Sequence, residues 1–367
     1  VRSPIDVPGH TNSAVDGYAV DGASLPLDEP VAFEVVGTAW AGAPFTHPVV
    51  HGAAARIMTG AAIPEGTDSV VMLEHVELTG ETVTIGTGHR RGQNVRHAGE
   101  DMRAGQVVLD AGKRLGPAEV GMLASLGFAE VPVRRRLRVA VLSTGDELRA
   151  AGEPLEAGAI YDSNRYTIGA MLQRLGAEIV DLGVARDDIA EVRSSLALGA
   201  EQADAVISSG GASAGEADYI RQVLGELGQV GFWRIAIRPG RPLAYGKLGN
   251  AFFFGLPGNP VAVMVTFYQF VQPALRLLAG EAEAFPVPTL EAKCVDALRK
   301  KPGRIEYYRA ILSREDDGEL VVRHTGKTGS GLLHTMSDAN CFIVLPEHGE
   351  NTEPGAIVQV QPFFGLV

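Results

Sequence analysis

The sequence predicts a multidomain α/β plus β fold: a central doubly wound parallel sheet, a β-rich domain before it and a small C-terminal β-barrel after it. Three observations carry this expectation. The 367 residues suffice for two to three domains with separate cores. From residue 137 onward, apolar strand patterns alternate with helical ones, as βαβ units require. On either side, short β-branched runs alternate with Gly, Pro and Asp turns, and helical periodicity is weak.

The elements follow in order. Residues 31–36 and 69–73 read as strands of the first domain, placed at 1–105. Pro117 suits a first helical position, Val120, Leu123 and Ala124 share a face, and Gly127 suits the C-terminal cap. A short helix therefore leads out through the remnant of a helical, elongated linker domain at 106–135. Arg134, Arg135 and Arg136 follow Pro132 and read as a solvated linker. The α/β domain, 136–284, runs through a strand at 137–142, a helix at 164–175, a strand at 178–182, a helix from Asp188 and a strand at 205–208. It continues with a helix at 220–227 and strands at 232–237 and 251–254. A last helix runs to about Leu278, with Asn259 as its cap and Pro260 at its first position. Residues 285–367 return to strands at 305–312, 320–324, 341–345 and 357–360, which reads as the barrel. The chain opens on Val1 with no signal-like segment, so it reads as beginning inside a longer first domain.

Composition narrows the function. A formal net charge of −12 disfavours nucleic acid as a partner. Hydrophobic residues at 46% and charged residues at 21% exclude wholesale disorder. Cys294 and Cys341 are too far apart for a C-x-x-C site or a disulfide framework and fit a cytoplasmic location. The apolar stretch 251–280 is broken by Leu256-Pro257-Gly258-Asn259-Pro260 and carries Gln269, Gln272 and Pro273, so no membrane span is expected. The 45 glycines exceed the roughly 7% of average usage without a G-X-Y period, which points to many turns and close backbone approaches.

Ligands of such a sheet bind beyond the carboxyl ends of its strands, where three loops stand out. Ser143-Thr144-Gly145-Asp146-Glu147 combines a tight-turn glycine with two acids, although a turn whose acids cap a helix is an equal reading. Ser208-Ser209-Gly210-Gly211-Ala212-Ser213 offers backbone and hydroxyl donors to a phosphate. It matches neither the dinucleotide fingerprint nor a Walker loop, and Gly326-Lys327-Thr328 reads as a turn of the β domain. Gly255-Leu256-Pro257-Gly258-Asn259-Pro260 is a rigid strand-to-helix turn, suited to a binding wall or to simple structure. Between the last two, Arg238 and Arg241 are spaced by prolines so that their guanidinium groups can fork onto an oxyanion; a plain surface pair is the alternative. Glu147, Asp187, Asp188 and Asp218 offer hard oxygen ligands of the kind Mg²⁺ prefers. No histidine pair has zinc spacing and no Ser, His and acid set stands out.

Taken together, these loops resemble the MoeA family, whose eukaryotic relative is the gephyrin E domain. The resemblance runs essentially end to end and rests on Ser3-Pro4-Ile5-Asp6-Val7-Pro8, Asn12-Ser13-Ala14-Val15-Asp16-Gly17-Tyr18-Ala19, Ile57-Met58-Thr59-Gly60 and Gly99-Glu100-Asp101. It rests equally on the three loops above and on Pro302-Gly303-Arg304. It implies a molybdopterin-binding α/β domain within a four-domain elongated homodimer whose active site is shared between subunits. The implied enzyme inserts molybdate into adenylylated molybdopterin with Mg²⁺ and releases AMP and molybdenum cofactor, in transient contact with other molybdenum-cofactor enzymes. By motif position the resemblance implies that Asp16, Thr59 and Asp101 act from the partner subunit, and Glu147, Asp187 and Asp218 from the α/β domain, these last three holding the metal. It places Gly145, Asp146, Ser208, Gly210, Gly211, Ser213, Pro257, Gly258, Asn259 and Pro260 around the pterin phosphate, and Arg238, Arg241, Arg309 and Ser337 around molybdate. The family often has Phe and Asp in place of His10 and Thr11, Met in place of Val15, and lysines in place of Arg238 and Arg241. The alternatives are a molybdopterin adenylyltransferase, for which the flanking β domains are superfluous, and a gephyrin-like scaffold, which carries an additional N-terminal domain and a long linker.

Overall fold

The computed structural model of the chain describes residues 1–210, 218–282 and 287–363. These form two compact units, Val1–Val131 and Pro132–Val367.

In the first unit, strands β1 (Gly17–Val20), β2 (Val31–Ala39), β3 (Ala53–Ile57), β4 (Ser69–Met72), β5 (Val76–Thr79) and β6 (Thr82–Ile85) make one sheet in the order β4-β1-β3-β2-β6-β5. Tyr18, Val20, Phe33, Val71, Val83 and Ile85 pack its core. The opening residues do not belong to this sheet: Arg2 pairs with Val107 and Val7 with Met102. The boundary read at residue 105 therefore divides a pair of neighbouring segments, because isolated bridges leave no periodic signal in sequence. Helix α1 (Pro117–Ser125) starts on Pro117, as expected, with Glu119 accepting from the Gly116 amide.

The second unit holds the α/β layer. Its elements are β7 (Arg138–Thr144), α2 (Asn164–Arg174), β8 (Glu178–Ala185), α3 (Ile189–Gln202), β9 (Ala205–Ser209), α4 (Asp218–Leu227), β10 (Gly228–Arg234), β11 (Ile237–Arg238), β12 (Pro242–Leu248), β13 (Ala251–Leu256), α5 (Pro260–Thr266) and α6 (Gln272–Leu278). The sheet order is β8-β7-β9-β13-β12-β10. Alternate residues of β7 and β9 enter two cores: Val139, Val141, Ala205 and Ile207 pack with Ile168 and Leu172 of α2, and Ala140, Leu142 and Val206 with Val192 and Leu196 of α3. Burial on both faces explains the continuous apolar runs. The sheet is mixed, however: β12 runs antiparallel to β13 and to β10, so the hairpin 228–248 replaces the single strand expected at 232–237.

Asn259 stands at the N-cap position of α5 without a side-chain capping bond, and Pro260 fills the first turn. The expected continuous helix contains a π-turn at Phe267–Val271, where the Gln272 amide reaches back to the Phe267 carbonyl. Pro273 has no amide to donate and crowds the preceding turn, which accounts for the widening. Pro260–Leu278 is long and apolar enough to cross a membrane, yet 61% of it is buried inside the protein, as befits a core helix.

The remaining strands, β14 (Leu290–Cys294), β15 (Ile305–Arg314), β16 (Leu320–His324), β17 (Cys341–Leu345) and β18 (Ile357–Pro362), close into a barrel through the β15–β17 pairing, with α7 (His334–Asp338) before β17. Strand β11 joins the barrel as a parallel neighbour of β15, matching Ile237 to Ile305 and Arg238 to Glu306. This register brings the arginine loop against the barrel.

Candidate active site

The carboxyl ends of the parallel strands carry the first and third loops singled out in the sequence and residues 208–210 of the second. Gly145, after β7, donates to the Ala185 carbonyl at 3.3 Å, and Asp146 Oδ1 accepts from the Asp187 amide at 3.1 Å. Gly210, after β9, has φ +94°, and a Cβ there would stand 2.7 Å from the Thr144 carbonyl oxygen, so only glycine permits this approach. Asn164, first residue of α2, donates through Nδ2 to Ser209 Oγ at 2.8 Å and to the Gly258 carbonyl at 2.7 Å. One amide thus ties the second loop to the third.

Beside the third loop lies a cavity of about 390 Å³, lined by residues 237–242, 257–259, Ala262, Arg304 and 328–330. Arg238, Arg241 and Arg304 are the charged residues of this lining, and among the described residues no Asp or Glu belongs to it. Arg238 Nη1 lies 3.5 Å from Glu306 Oε2, the Glu306 side chain being only 4% exposed. Behind the wall, Arg309 is 2% exposed. It donates from Nε to Thr335 Oγ1 at 3.0 Å and from Nη2 to the carbonyls of Lys327 and Gly329 at 2.8 and 3.2 Å. Burial lowers its pKa. The composition of the lining suits a small oxyanion: three arginines, backbone and hydroxyl donors, and local positive charge despite the acidic chain.

Comparison with known proteins gives the site its family. The MoeA N-terminal region (domain I and II) matches residues 1–127, the probable molybdopterin binding domain residues 140–277, and the MoeA C-terminal region (domain IV) residues 291–363. A molybdopterin molybdenumtransferase of Haemophilus influenzae is 46% identical over 368 residues, covering 100% of this chain and 91% of that protein. The chain belongs to the MoeA family. Gephyrin of Dictyostelium discoideum is also similar, at 33% identity across 83% of this chain and 47% of that protein. The crystal structure of the molybdopterin biosynthesis MoeA protein of Pyrococcus horikoshii OT3 superposes with a TM-score of 0.84 at 28% identity, covering 99% of this chain and 90% of that one. As a MoeA-family chain it is an enzyme of molybdenum cofactor biosynthesis.

Within this MoeA fold the expected residues fall into groups. Arg238, Arg241, Pro257, Gly258 and Asn259 line the cavity, whereas Pro260 starts α5 just behind it. Gly145, Asp146, Glu147, Gly210 and Asp187 stand at neighbouring strand ends. Ser208 is 6% exposed within β9, paired to Leu142 and Gly255, so it sits inside the sheet rather than at its open edge. Arg309, expected beside the oxyanion, holds the cavity wall from behind. Ser337 is exposed on α7 and is not part of the lining; Ser330 is. Gly211 and Ser213 lie outside the described residues, as does the side chain of Asp218, which begins α4. Asp16, Thr59 and Asp101 belong to the first unit. Thr59 donates to Asp16 through amide and hydroxyl, and the Asp101 amide bonds to the Val7 carbonyl at 3.0 Å. Arg304 stood in the sequence only as part of the Pro302-Gly303-Arg304 motif, without a role, and Thr328 only in a turn of the β domain; Gly329 and Ser330 were not singled out, and all four line the cavity.

Proposed function

We propose that this chain inserts molybdate into adenylylated molybdopterin, releasing AMP and molybdenum cofactor, and that molybdate occupies the cavity walled by Arg238, Arg241 and Arg304. The observation that carries this reading is a lining that holds three arginines and, among the described residues, no Asp or Glu. Molybdate is a tetrahedral dianion that fixed cationic forks can hold without reorganisation. The backbone of Gly145 and Gly210 faces the pterin phosphate, and Pro257 keeps the third loop rigid against it.

Mg²⁺ belongs to the same proposal. Among the described residues no three potential ligands cluster, but Mg²⁺ commonly takes only one or two carboxylates together with substrate phosphate oxygens. Glu147 and Asp187, at adjacent strand ends, supply that donor chemistry, with Asp218 as a further candidate. Bound there, the ion neutralises charge developing on phosphate as AMP leaves. The Asp146 carboxylate positions the Asp187 backbone. Asp16, Thr59 and Asp101 complete the site from a second copy of the chain in a cytoplasmic homodimer.

The test is nucleotide release. Molybdate-dependent AMP formation from adenylylated molybdopterin, lost in E147A or D218A without loss of fold, supports the proposal. Pyrophosphate release from ATP and molybdopterin in its place indicates an adenylyltransferase. Peptide capture with no turnover indicates a scaffold.

A further inference from the structure

Three arginines line the cavity, but a dianion needs two positive charges, and the three are not equivalent. Resting on the molybdate reading of this cavity, we propose that Arg241 and Arg304 are the pair that neutralises the oxyanion, while the charge of Arg238 is committed to Glu306. Glu306 is a carboxylate buried to 4% exposure, 3.5 Å from Arg238 Nη1, and the β11–β15 register places the two residues side by side. A buried carboxylate stripped of its cation is strongly destabilising, so this pairing persists when an anion arrives. Arg241 and Arg304 form no ion pair among the described residues. Their two charges match those of one tetrahedral dianion.

Arg304 is also held in place. Lys300, only 6% exposed, directs its ammonium at the carbonyls of Lys301, Arg304 and Glu347, and the Gly303 amide bonds to Glu347 at 2.9 Å. A buried ammonium is costly unless its donors are satisfied; here three carbonyls accept from it, and the result is a turn that fixes the Arg304 backbone at the cavity wall. A guanidinium rooted in this way loses less freedom on binding than one on a loose loop.

The experiment is calorimetric titration of the full chain with sodium molybdate at constant ionic strength. Circular dichroism and thermal unfolding serve as controls for folding. Arg304→Gln and Arg241→Gln should each weaken binding by about tenfold or more, the loss of one charge-assisted fork. Arg304→Lys should recover part of it. Glu306→Gln should tighten binding, because Arg238 is then released to the cavity, a sign that a merely structural role cannot produce. Arg314→Gln, on the barrel outside the lining, removes the same net charge and should bind like wild type. Wild-type affinity in Arg304→Gln, or weaker binding in a folded Glu306→Gln, overturns the assignment and leaves the molybdate reading intact. Absence of molybdate, tungstate and sulfate binding by the wild-type chain overturns both.

Discussion

A single oxygen of Asp16, Oδ1, accepts both the amide of Thr59 at 2.6 Å and its hydroxyl at 2.7 Å. The pairing of β1 with β3, which sets Gly17 against Ile57, brings the residues just outside each strand together. The two hydrogen bonds, the amide's first, hold the Asp16 carboxyl below the usual carboxylate range. The stabilisation so gained is present above the ordinary Asp value near 3.9 and is lost as pH falls through the lower, folded value. Thr59→Val removes only the hydroxyl bond, so Asp16 should then titrate higher than in wild type yet still below an isolated aspartate. Carboxylate titration by NMR measures this directly, and an unmoved Asp16 rules the hydroxyl out.

Gly240 separates the two prolines of the arginine loop with φ +99°, and a Cβ there would come within 2.4 Å of Thr266 Oγ1. Thr266 is fully buried on α5, so the loop cannot move aside cheaply. Gly240→Ala should cost about 1–3 kcal/mol in denaturant unfolding and reduce molybdate affinity, since Arg241 directly follows the shifted residue. Gly258 has nothing within 4 Å of the corresponding position. Gly258→Ala should stay within about 0.5 kcal/mol of wild type. Equal stabilities for the two variants contradict this account.

Much of the α/β layer was legible because its information is local. Strands buried on both faces show as continuous apolar runs, and Pro257, Gly258 and Pro260 announce a rigid turn at a strand end. The hairpin 228–248 was less legible: Gly231 and Gly246 interrupt its alternation, and each faces backbone or an aromatic ring too closely for a side chain. Arg304 was visible in the Pro302-Gly303-Arg304 motif, but its place at the cavity was not: it arrives there through the β11–β15 register, a long-range pairing with no local signature. Ser330 and Ser337 lie in the same polar stretch, and only the fold distinguishes the one lining the cavity from the one on α7. Arg309 was placed beside the oxyanion by the family resemblance, which carries a motif position but not this side chain's 2% exposure.

Asn164 makes a sharper test of the crevice than any of its acids. Its Nδ2 bridges Ser209 Oγ and the Gly258 carbonyl, so Asn164→Ala leaves both without their donor, a loss of about 1–3 kcal/mol. Asn164→Asp should be worse despite its nearly identical shape, because a carboxylate oxygen then faces the Gly258 carbonyl. Chemical unfolding of the two variants ranks them, and an aspartate as stable as the alanine contradicts the bridge.

Arg309 offers the complementary case, a cation whose effect on the site passes through the backbone. Its Nε and Nη2 satisfy Thr335 Oγ1 and the carbonyls of Lys327 and Gly329, and the last of these lines the cavity. Arg309→Met fills much of the same volume but removes all three hydrogen bonds, and the buried one, to Thr335 Oγ1, costs roughly 1–3 kcal/mol. Arg309→Lys keeps the charge, yet an ammonium on a flexible stem does not reproduce a planar fork spanning three acceptors. Both variants should therefore lose barrel stability, the methionine more, and molybdate affinity should fall in the same order. A residue that touched the oxyanion directly would behave otherwise. Lysine would then retain affinity out of proportion to its stability, and methionine would lose affinity while remaining well folded. Calorimetric titration with molybdate alongside urea unfolding of both variants separates the two patterns. Parallel losses are expected, because a side chain this deeply buried acts on the cavity by holding its wall.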